Sequence, residues 1–238
     1  MTKGRIFLPN ELIWFLFALV NFGLIVFIYY FFGRIGLIAW IAMGTILANI
    51  QVVKSIELFS LTATLGNIMY GTIFLATDVL NEKYDEKTAK MAVYVGFFIN
   101  LSGVIIMQIA LAFHPSIDTI SMNDSLKAIF NLMPRIFIAS LIAYLVSQLL
   151  DVILFQRIKR RWPSDKLLWV RNNVSTLISQ AVDTVIFVTF AFSFNHYFTG
   201  IIFWEVMLTT YLIKAVVALL DTPFIYLMKK IIPLNERA

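Results

Sequence analysis

The 238-residue chain is 60% hydrophobic and only 14% charged, with a mean hydropathy of +0.84 and a net charge of +5. A soluble domain is typically about half apolar and about a quarter charged, so the composition excludes a soluble globular class and points to an all-α integral membrane protein. There is no cysteine, which excludes disulfides and thiolate metal sites; the basic residues fall where membrane topology needs them and give no argument for nucleic acid.

A spanning helix needs about 20 mostly apolar residues. The first segment of that kind, 11–32, follows Lys3 and Arg5. It is too long for a signal-peptide apolar region and lacks a small-x-small cleavage site, so it reads as a retained helix. The second, 35–53, carries Asn49 late in the span and Gln51 just after it. The third, 61–80, runs into "FLATDVLNE", which sets Asp78 and Glu82 at i and i+4 on one face. The stretch "NEKYDEKTAK" then continues it as a charged, partly amphipathic segment.

The fourth span is 91–113, and the long connection 114–133 is expected to hold a short surface helix. The fifth, 134–156, carries Gln148 and Asp151, and a basic loop with two tryptophans, 157–172, follows it. The sixth, 173–196, carries Gln180 and Asp183. The seventh, 201–228, carries Lys214 and Asp221 on a common face at i and i+7. No segment alternates polar and apolar residues over about ten positions as barrel strands do, so no strand is expected.

Lys and Arg bias sets orientation. Arg34, Lys83, Lys87, Lys90, the basic cluster 157–171 and the final Lys229, Lys230 and Arg237 collect on one side. The other side has Lys3, Arg5, Lys54, Lys127 and Arg135. The C-terminus is therefore expected in the cytoplasm and the N-terminus outside, in a multi-pass protein of the cell membrane.

Ionisable and amide side chains within spans are costly and tend to face a cavity or a partner. Asp183 lies twelve residues beyond Arg171, roughly 15 Å or more along its helix. Lys214 is near the middle of its span, so mutual pairing of these two is expected. Residues 147–151, "SQLLD", and 179–183, "SQAVD", repeat one spacing. Because the two helices run antiparallel, the shared spacing is not expected to make them symmetric halves of one site.

Catalysis finds no support. The two histidines, His114 and His196, sit at helix ends, so no H-E-x-x-H zinc site exists, and there is neither a phosphate-binding G-x-x-x-x-G-K-[ST] loop nor a G-x-S-x-G elbow. No enzyme activity, metal or cofactor is expected. A buried set of Asn, Gln, Asp and Lys instead suits passage of a small polar solute.

At these residues the chain resembles the queuosine precursor transporter family, also described as vitamin uptake transporters. The likeness covers roughly residues 40–228. It rests on "ANIQVVKSIELFSLT", "GTIFLATDVLNEKY", "YLVSQLLDVILFQRIKR", "LWVRNNVSTLISQAVDTVIFVTFAF" and "YLIKAVVALLDTP". The resemblance implies uptake of 7-deazaguanine precursors of queuosine, or of queuine. It also implies a six-helix core like that of the substrate-binding components of energy-coupling-factor importers, spanning 35–228. Residues 1–34 would then hold an extra peripheral helix and 229–238 a cytoplasmic tail.

Carried over residue by residue, the resemblance marks Asn49, Asp78, Glu82, Gln148, Asp151, Arg171, Ser175, Gln180, Asp183 and Lys214. Asn49, Gln148, Gln180, Asp183 and Lys214 are assigned to the substrate; Asp78, Glu82, Asp151, Arg171 and Ser175 are assigned to the path or its gating. Lys214 either balances Asp183 or binds a substrate carbonyl. Asp85 stands where many members have glycine. The rival reading is a membrane-embedded binding subunit that needs an energising partner for the same kind of ligand. Oligomeric state is left open.

Overall fold

The computed structural model describes residues 9–52, 54–59, 61–130, 134–192 and 200–237; Lys3, Arg5, His196 and the side chain of Arg135 lie outside that set. The helices are α1 (Asn10–Gln51), α2 (Gly66–Lys83), α3 (Glu86–Ala112), α4 (Ile120–Phe130), α5 (Pro134–Arg161), α6 (Leu168–Phe192) and α7 (Ile201–Lys230). Among the described residues, five helices are long and apolar enough to cross a membrane: α1, α3, α5, α6 and α7.

As one straight rod, α1 would be about 63 Å long, twice the roughly 30 Å of a hydrocarbon core. It does not run straight. Gly33 takes φ 51 and ψ −133, a left-handed conformation that only glycine adopts without strain. A Cβ on Gly36 would lie 2.7 Å from the carbonyl of Ile28, eight residues earlier and about 12 Å away in a continuous helix. At the other end, Asn10 Nδ2 donates to the Glu57 carbonyl at 2.9 Å, and the Glu11 carboxylate accepts from the Phe59 N–H at 3.1 Å. The start of α1 thus meets the segment that follows its end. Two antiparallel limbs, 10–32 and 34–51, result, in line with the separate segments expected at 11–32 and 35–53.

The first limb is a packed element. Trp14, Ala18, Asn21, Phe22, Ile25 and Tyr29 form its buried stripe at helical spacing, and Phe22 stacks on Phe224 of α7 at 4.7 Å. Phe15, Leu19 and Phe27 face outward. The C-terminal residues close the reversal at Gly33. Asn235 Nδ2 donates to the Phe32 carbonyl at 3.2 Å, while Glu236 accepts from the Arg34 N–H at 3.2 Å and from the Tyr84 hydroxyl at 2.6 Å.

The expectation of no strand is corrected. Ser55–Leu58 (β1) and Leu61–Thr64 (β2) pair antiparallel, Ser55 opposite Thr64 and Leu58 opposite Leu61. Phe59, at φ 51, makes the turn. "SIEL" and "LTAT" alternate over only four residues each, enough for a hairpin rich in β-branched residues but far short of a barrel strand. The third span accordingly starts as helix at Gly66 rather than at 61.

A second correction falls on "NEKYDEKTAK". The helix stops at Lys83, and Asp85 caps a new one by accepting from the Thr88 N–H at 2.6 Å. That bond holds the Asp85 carboxyl below the usual carboxylate range. A side-chain oxygen at this position satisfies an orphan donor of the first turn of α3, which glycine could not do. The surface helix expected in 114–133 is α4.

Nearly every side chain of α2 is buried, because α1, α3, α5 and α7 pack around it. This explains why α2 is absent from the five apolar helices. With no face toward lipid, it can hold Asn67, Thr72, Thr77, Asp78, Asn81 and Glu82.

Gly33→Ala is expected to lower thermal stability in detergent by about 1–3 kcal/mol, from backbone strain at positive φ. Gly23→Ala, where an added Cβ meets nothing within 4 Å, is expected to leave it unchanged or higher. Thermal unfolding of the two purified variants makes the comparison.

A buried polar core as the candidate functional site

Helix α6 carries a polar stripe: Arg171, Asn172, Ser175, Thr176, Ser179, Gln180, Asp183 and Thr184, all buried. Steps of one and three residues keep these on one face of a helix. In hydrocarbon such a face must be covered by groups that can bond to it. Helices α5, α7 and α2 supply them.

The expected pair at the centre is formed. Lys214 of α7 donates to Asp183 Oδ2, and Ser147 of α5 donates to Asp183 Oδ1 at 3.0 Å. Both ions are nearly enclosed, at 5% and 6% relative exposure. Thr77 of α2 donates to Gln148 Oε1 at 3.0 Å. Gln148 Nε2 and Gln180 Oε1 are buried without a partner, one a donor and the other an acceptor. A buried amide group left unpaired costs about 1–3 kcal/mol, so each of these two glutamines has unused bonding capacity in the core.

Tyr70 lies on the same side, with Lys214 Nζ 5.8 Å from its ring centroid. Its hydroxyl meets Ser140 Oγ at 2.8 Å, and Ser140 donates to Asn49 Oδ1 at 2.8 Å. Ser140 spends its one hydrogen on Asn49, so Tyr70 is the donor to Ser140. Asn49 is thus removed from the ion pair but linked to it through Ser140 and Tyr70. It also borders a mostly apolar cavity of about 850 Å³ among α1, α3, α4 and α5, lined by Ile46, Asn100, Val104, Met107 and Leu141.

One to two turns toward the opposite end lie Asp78, Asp151 and Asp221, all fully buried. Thr176 donates to Asp78 Oδ2 at 3.3 Å, and Asn172 Nδ2 donates to Asp221 Oδ1 at 2.7 Å. Asp151 sits beside Asp78, Ser175, Thr176 and Ser179, yet neither of its oxygens has a well-formed hydrogen bond. Ser175 donates to the Asn172 carbonyl at 3.2 Å.

The two Ser-Gln-x-x-Asp stretches lie opposite each other along the α5–α6 contact. Ser147 of the first meets Asp183 of the second, and Ser179 of the second lies beside Asp151 of the first. Antiparallel helices bring residues of constant index sum together, and 147 with 183 and 151 with 179 satisfy that condition.

Glu82 and Arg171 form the end of this core. Arg171, with no exposed surface, makes a two-bond fork to Glu82, Nη2 to Oε1 at 2.7 Å and Nε to Oε2 at 3.1 Å. Lys229 adds a bond to Glu82 Oε1 at 2.6 Å, and Lys159 lies 3.3 Å from Oε2. Arg171 Nη1 also donates to the Ser164 carbonyl at 2.9 Å, while Lys229 reaches Asp165 at 2.5 Å and holds that carboxyl below its usual range. One carboxylate therefore ties α2, α5, α6 and α7 together.

All ten residues marked in the sequence lie in this core or on its border. Ser147, Thr77, Thr176, Asn172 and Tyr70 were not singled out for the site. Ser147 was visible within the repeated stretch, and Thr176 and Asn172 are adjacent to marked positions. Asp221 was seen only as a same-face neighbour of Lys214. Tyr70 carried no signal apart from being aromatic.

A multi-pass helical bundle that encloses ion pairs, carboxylates and amides belongs to the class of membrane proteins that handle polar solutes or ions within the bilayer. Residues 64–228 match the family described as "Putative vitamin uptake transporter". A "Probable queuosine precursor transporter" of Bacillus subtilis (strain 168) is 46% identical over 229 residues, 96% of this chain and 99% of that protein. A protein of the same description from Haemophilus influenzae (strain ATCC 51907 / DSM 11121 / KW20 / Rd) is 33% identical over 134 residues, 56% of this chain and 54% of that one. No solved structure matches the chain. The chain belongs to the vitamin uptake transporter family.

Glu82→Gln leaves Arg171 buried with a weakened partner, and breaking a buried ion pair costs about 3–5 kcal/mol. It is expected to destabilise the bundle strongly. Glu86→Gln, which touches only the half-exposed Lys90 and the exposed Arg160, is expected to change stability by less than about 1 kcal/mol. Thermal unfolding in detergent compares the two.

Proposed function

We propose that this protein imports 7-deazaguanine precursors of queuosine across the cell membrane, as the names of its relatives suggest for those proteins. The observation that carries the reading is the buried polar cluster at Asp183, which joins an ion pair to an unpartnered amide donor on Gln148 and an unpartnered amide acceptor on Gln180. A guanine-like edge offers ring and exocyclic N–H groups next to a carbonyl. A carboxylate can accept two such N–H bonds, and a glutamine amide can meet both an acceptor and a donor. A pocket of this kind rejects analogues that leave its buried groups unpaired.

In this reading the ligand arrives through the cavity at Asn49 and takes Asp183 from Lys214. The exchange gives the two orientations of the protein different contacts with ligand, which a change of state requires. Asp78, Asp151 and Ser175 continue the path, and the Glu82–Arg171 fork closes it at the cytoplasmic end. The six helical limbs from residue 34 onward form the transport core, with the first limb of α1 added to it and both ends of that core in the cytoplasm. No catalytic step is part of the proposal.

Asp183→Asn, at normal membrane abundance, is expected to abolish uptake of 7-cyano- and 7-aminomethyl-7-deazaguanine and the return of queuosine to tRNA in a precursor-dependent, transporter-deficient strain. Undiminished uptake would overturn the assignment. The chain is to be expressed alone in a host without energising importer modules, since accumulation there excludes the reading as a dependent binding subunit. In a second measurement, purified protein is expected to gain thermal stability as a deazaguanine is added, because a ligand that binds only the folded state raises it by mass action. Asp183→Asn is expected to lose that gain.

A further inference from the structure

Asp78 of α2, Asp151 of α5 and Asp221 of α7 bring three fully buried carboxyl groups to one place. Among the described residues no Lys or Arg forms an ion pair with any of the three, since Lys214 is committed to Asp183 and Arg171 to Glu82. Three neighbouring carboxylates cannot all stay ionised in a poorly polarisable interior without counter-charge. The polar groups around them point to the same need. Asp78 Oδ1, both oxygens of Asp151 and Asp221 Oδ2 are buried with nothing donating to them. Ser179 Oγ, on a fully buried residue beside Asp151, is likewise unpartnered. Four acceptor oxygens lack a well-formed donor, and the Ser179 hydroxyl, a donor beside Asp151, makes no well-formed bond to it.

A metal ion is the weaker candidate for the missing charge. Among the described residues no group of three carboxyl or imidazole side chains is arranged to hold one. We propose that Asp78, Asp151 and Asp221 form a proton-binding site that couples precursor import to the proton gradient. The coupling half of this proposal rests on the transport reading above; the proton-binding half does not.

The surroundings give the site a direction. From α2 the ionisable groups facing it are Asp78 and, one turn on, Glu82. From α5 it is met by Asp151, from α6 by Arg171, and from α7 by Asp221. The Asp183–Lys214 pair lies on the other side, and α1 meets α2 with Trp40 and Gly44. Around Glu82 three cations, Arg171, Lys159 and Lys229, gather on one carboxylate. These cations, shared between Glu82 and Asp165, mark the end toward which we take the proton to leave. The link to the ligand pocket is the α5–α6 contact, in which Ser147–Asp183 and Ser179–Asp151 are reciprocal and one turn apart. Thr77, bonded to Gln148, is the chain neighbour of Asp78. Pro223, two residues past Asp221 inside α7, lacks the N–H that would bond one turn back, a weak place where the helix can yield.

The test has two arms. In the first, the full chain with isotope-labelled aspartate, in lipid nanodiscs, is titrated by infrared difference spectroscopy. Wild type is expected to show the carbonyl stretch of protonated aspartate at neutral pH, shifted by the label. Asp221→Asn and Asp151→Asn are expected to remove or shift that band, and Asp124→Asn, on the exposed face of α4, to leave it. Ionised aspartates alone at neutral pH would overturn the proposal, and the wild-type spectrum decides this even if a variant fails to fold. Stabilisation of the wild type by sodium but not potassium or a bulky organic cation would also overturn it in favour of a metal ion.

In the second arm, proteoliposomes receive 7-cyano-7-deazaguanine with or without an inward proton gradient. Wild type is expected to accumulate it only with the gradient. Asp221→Asn is expected to lose accumulation yet keep exchange of labelled for unlabelled precursor. Accumulation that ignores the gradient overturns the coupling. No exchange by wild type, with the infrared band present, would instead count against the substrate reading and leave the proton site standing.

Discussion

An isolated carboxylate or ammonium in hydrocarbon costs several kcal/mol, and Asp183 and Lys214 escape that cost only by meeting across the α6–α7 contact. Most of the bundle follows from this requirement. Once α6 turns Asp183 inward, the residues one, two and three turns before it on the same face turn inward too. They are Ser, Gln, Thr, Asn and Arg rather than leucine. That stripe cannot face lipid, so α5 and α7 flank α6 and α2 is enclosed at the centre. Enclosure in turn frees α2 from any need for an apolar face, which lets it carry Thr77, Asp78 and Glu82.

Along the bundle, buried charge is handled in three different ways. At the centre one carboxylate meets one ammonium, with a serine hydroxyl on the remaining oxygen. One to two turns on, three carboxyl groups gather with neutral Ser, Thr and Asn side chains only. At the end, one carboxylate is surrounded by three cations, one in a planar two-bond fork. Arginine is suited to that last task because its donors match a carboxylate edge and its charge is not lost on burial. The three layers share α2, α5, α6 and α7, so a change in one is felt in the others through helices that are already in contact.

Much of this was legible in the sequence because membrane helices leave few places for ionisable groups. Asp183 and Lys214 were each too deep to reach water, and pairing followed. The polar residues of α6 recur at helical spacing, so their common face could be read directly. What the sequence did not show has physical reasons. The hairpin at 55–64 is shorter than any pattern that distinguishes a strand from a loop. The reversal at Gly33 was anticipated only as a gap between two apolar segments, since no turn-forming residue other than the glycine marks it. Asp85 looked like a departure in a loop, and its role as a helix cap depends on where α2 stops. Tyr70 and Ser140 are ordinary membrane residues until the fold places them between Asn49 and Lys214. The reciprocity of the two Ser-Gln-x-x-Asp stretches depends on the α5–α6 register, which five-residue matches do not specify.

Among the described residues, the bonding is unequal at the two ends of the bundle. Around Glu82, charge-assisted bonds join four helices, and such bonds are roughly twice as strong as neutral ones. Asn81 and Gln156 add a further neutral link between α2 and α5. Among the described residues, the cross-links at the opposite end include Asn10 to the Glu57 carbonyl, the Phe59 N–H to the Glu11 carboxylate and Gln108 to the Phe130 carbonyl, all at exposed positions where water can replace them. The apolar cavity lies on this weaker side, among α1, α3, α4 and α5. Local opening draws on the least stabilised contacts first, so a movement that widens the cavity breaks fewer and weaker bonds than one that parts the Glu82 fork. Opening at the fork therefore needs a compensating change inside the core. Under the proposals made above, that change falls on Asp183, through its ammonium, and on the aspartate cluster one to two turns away.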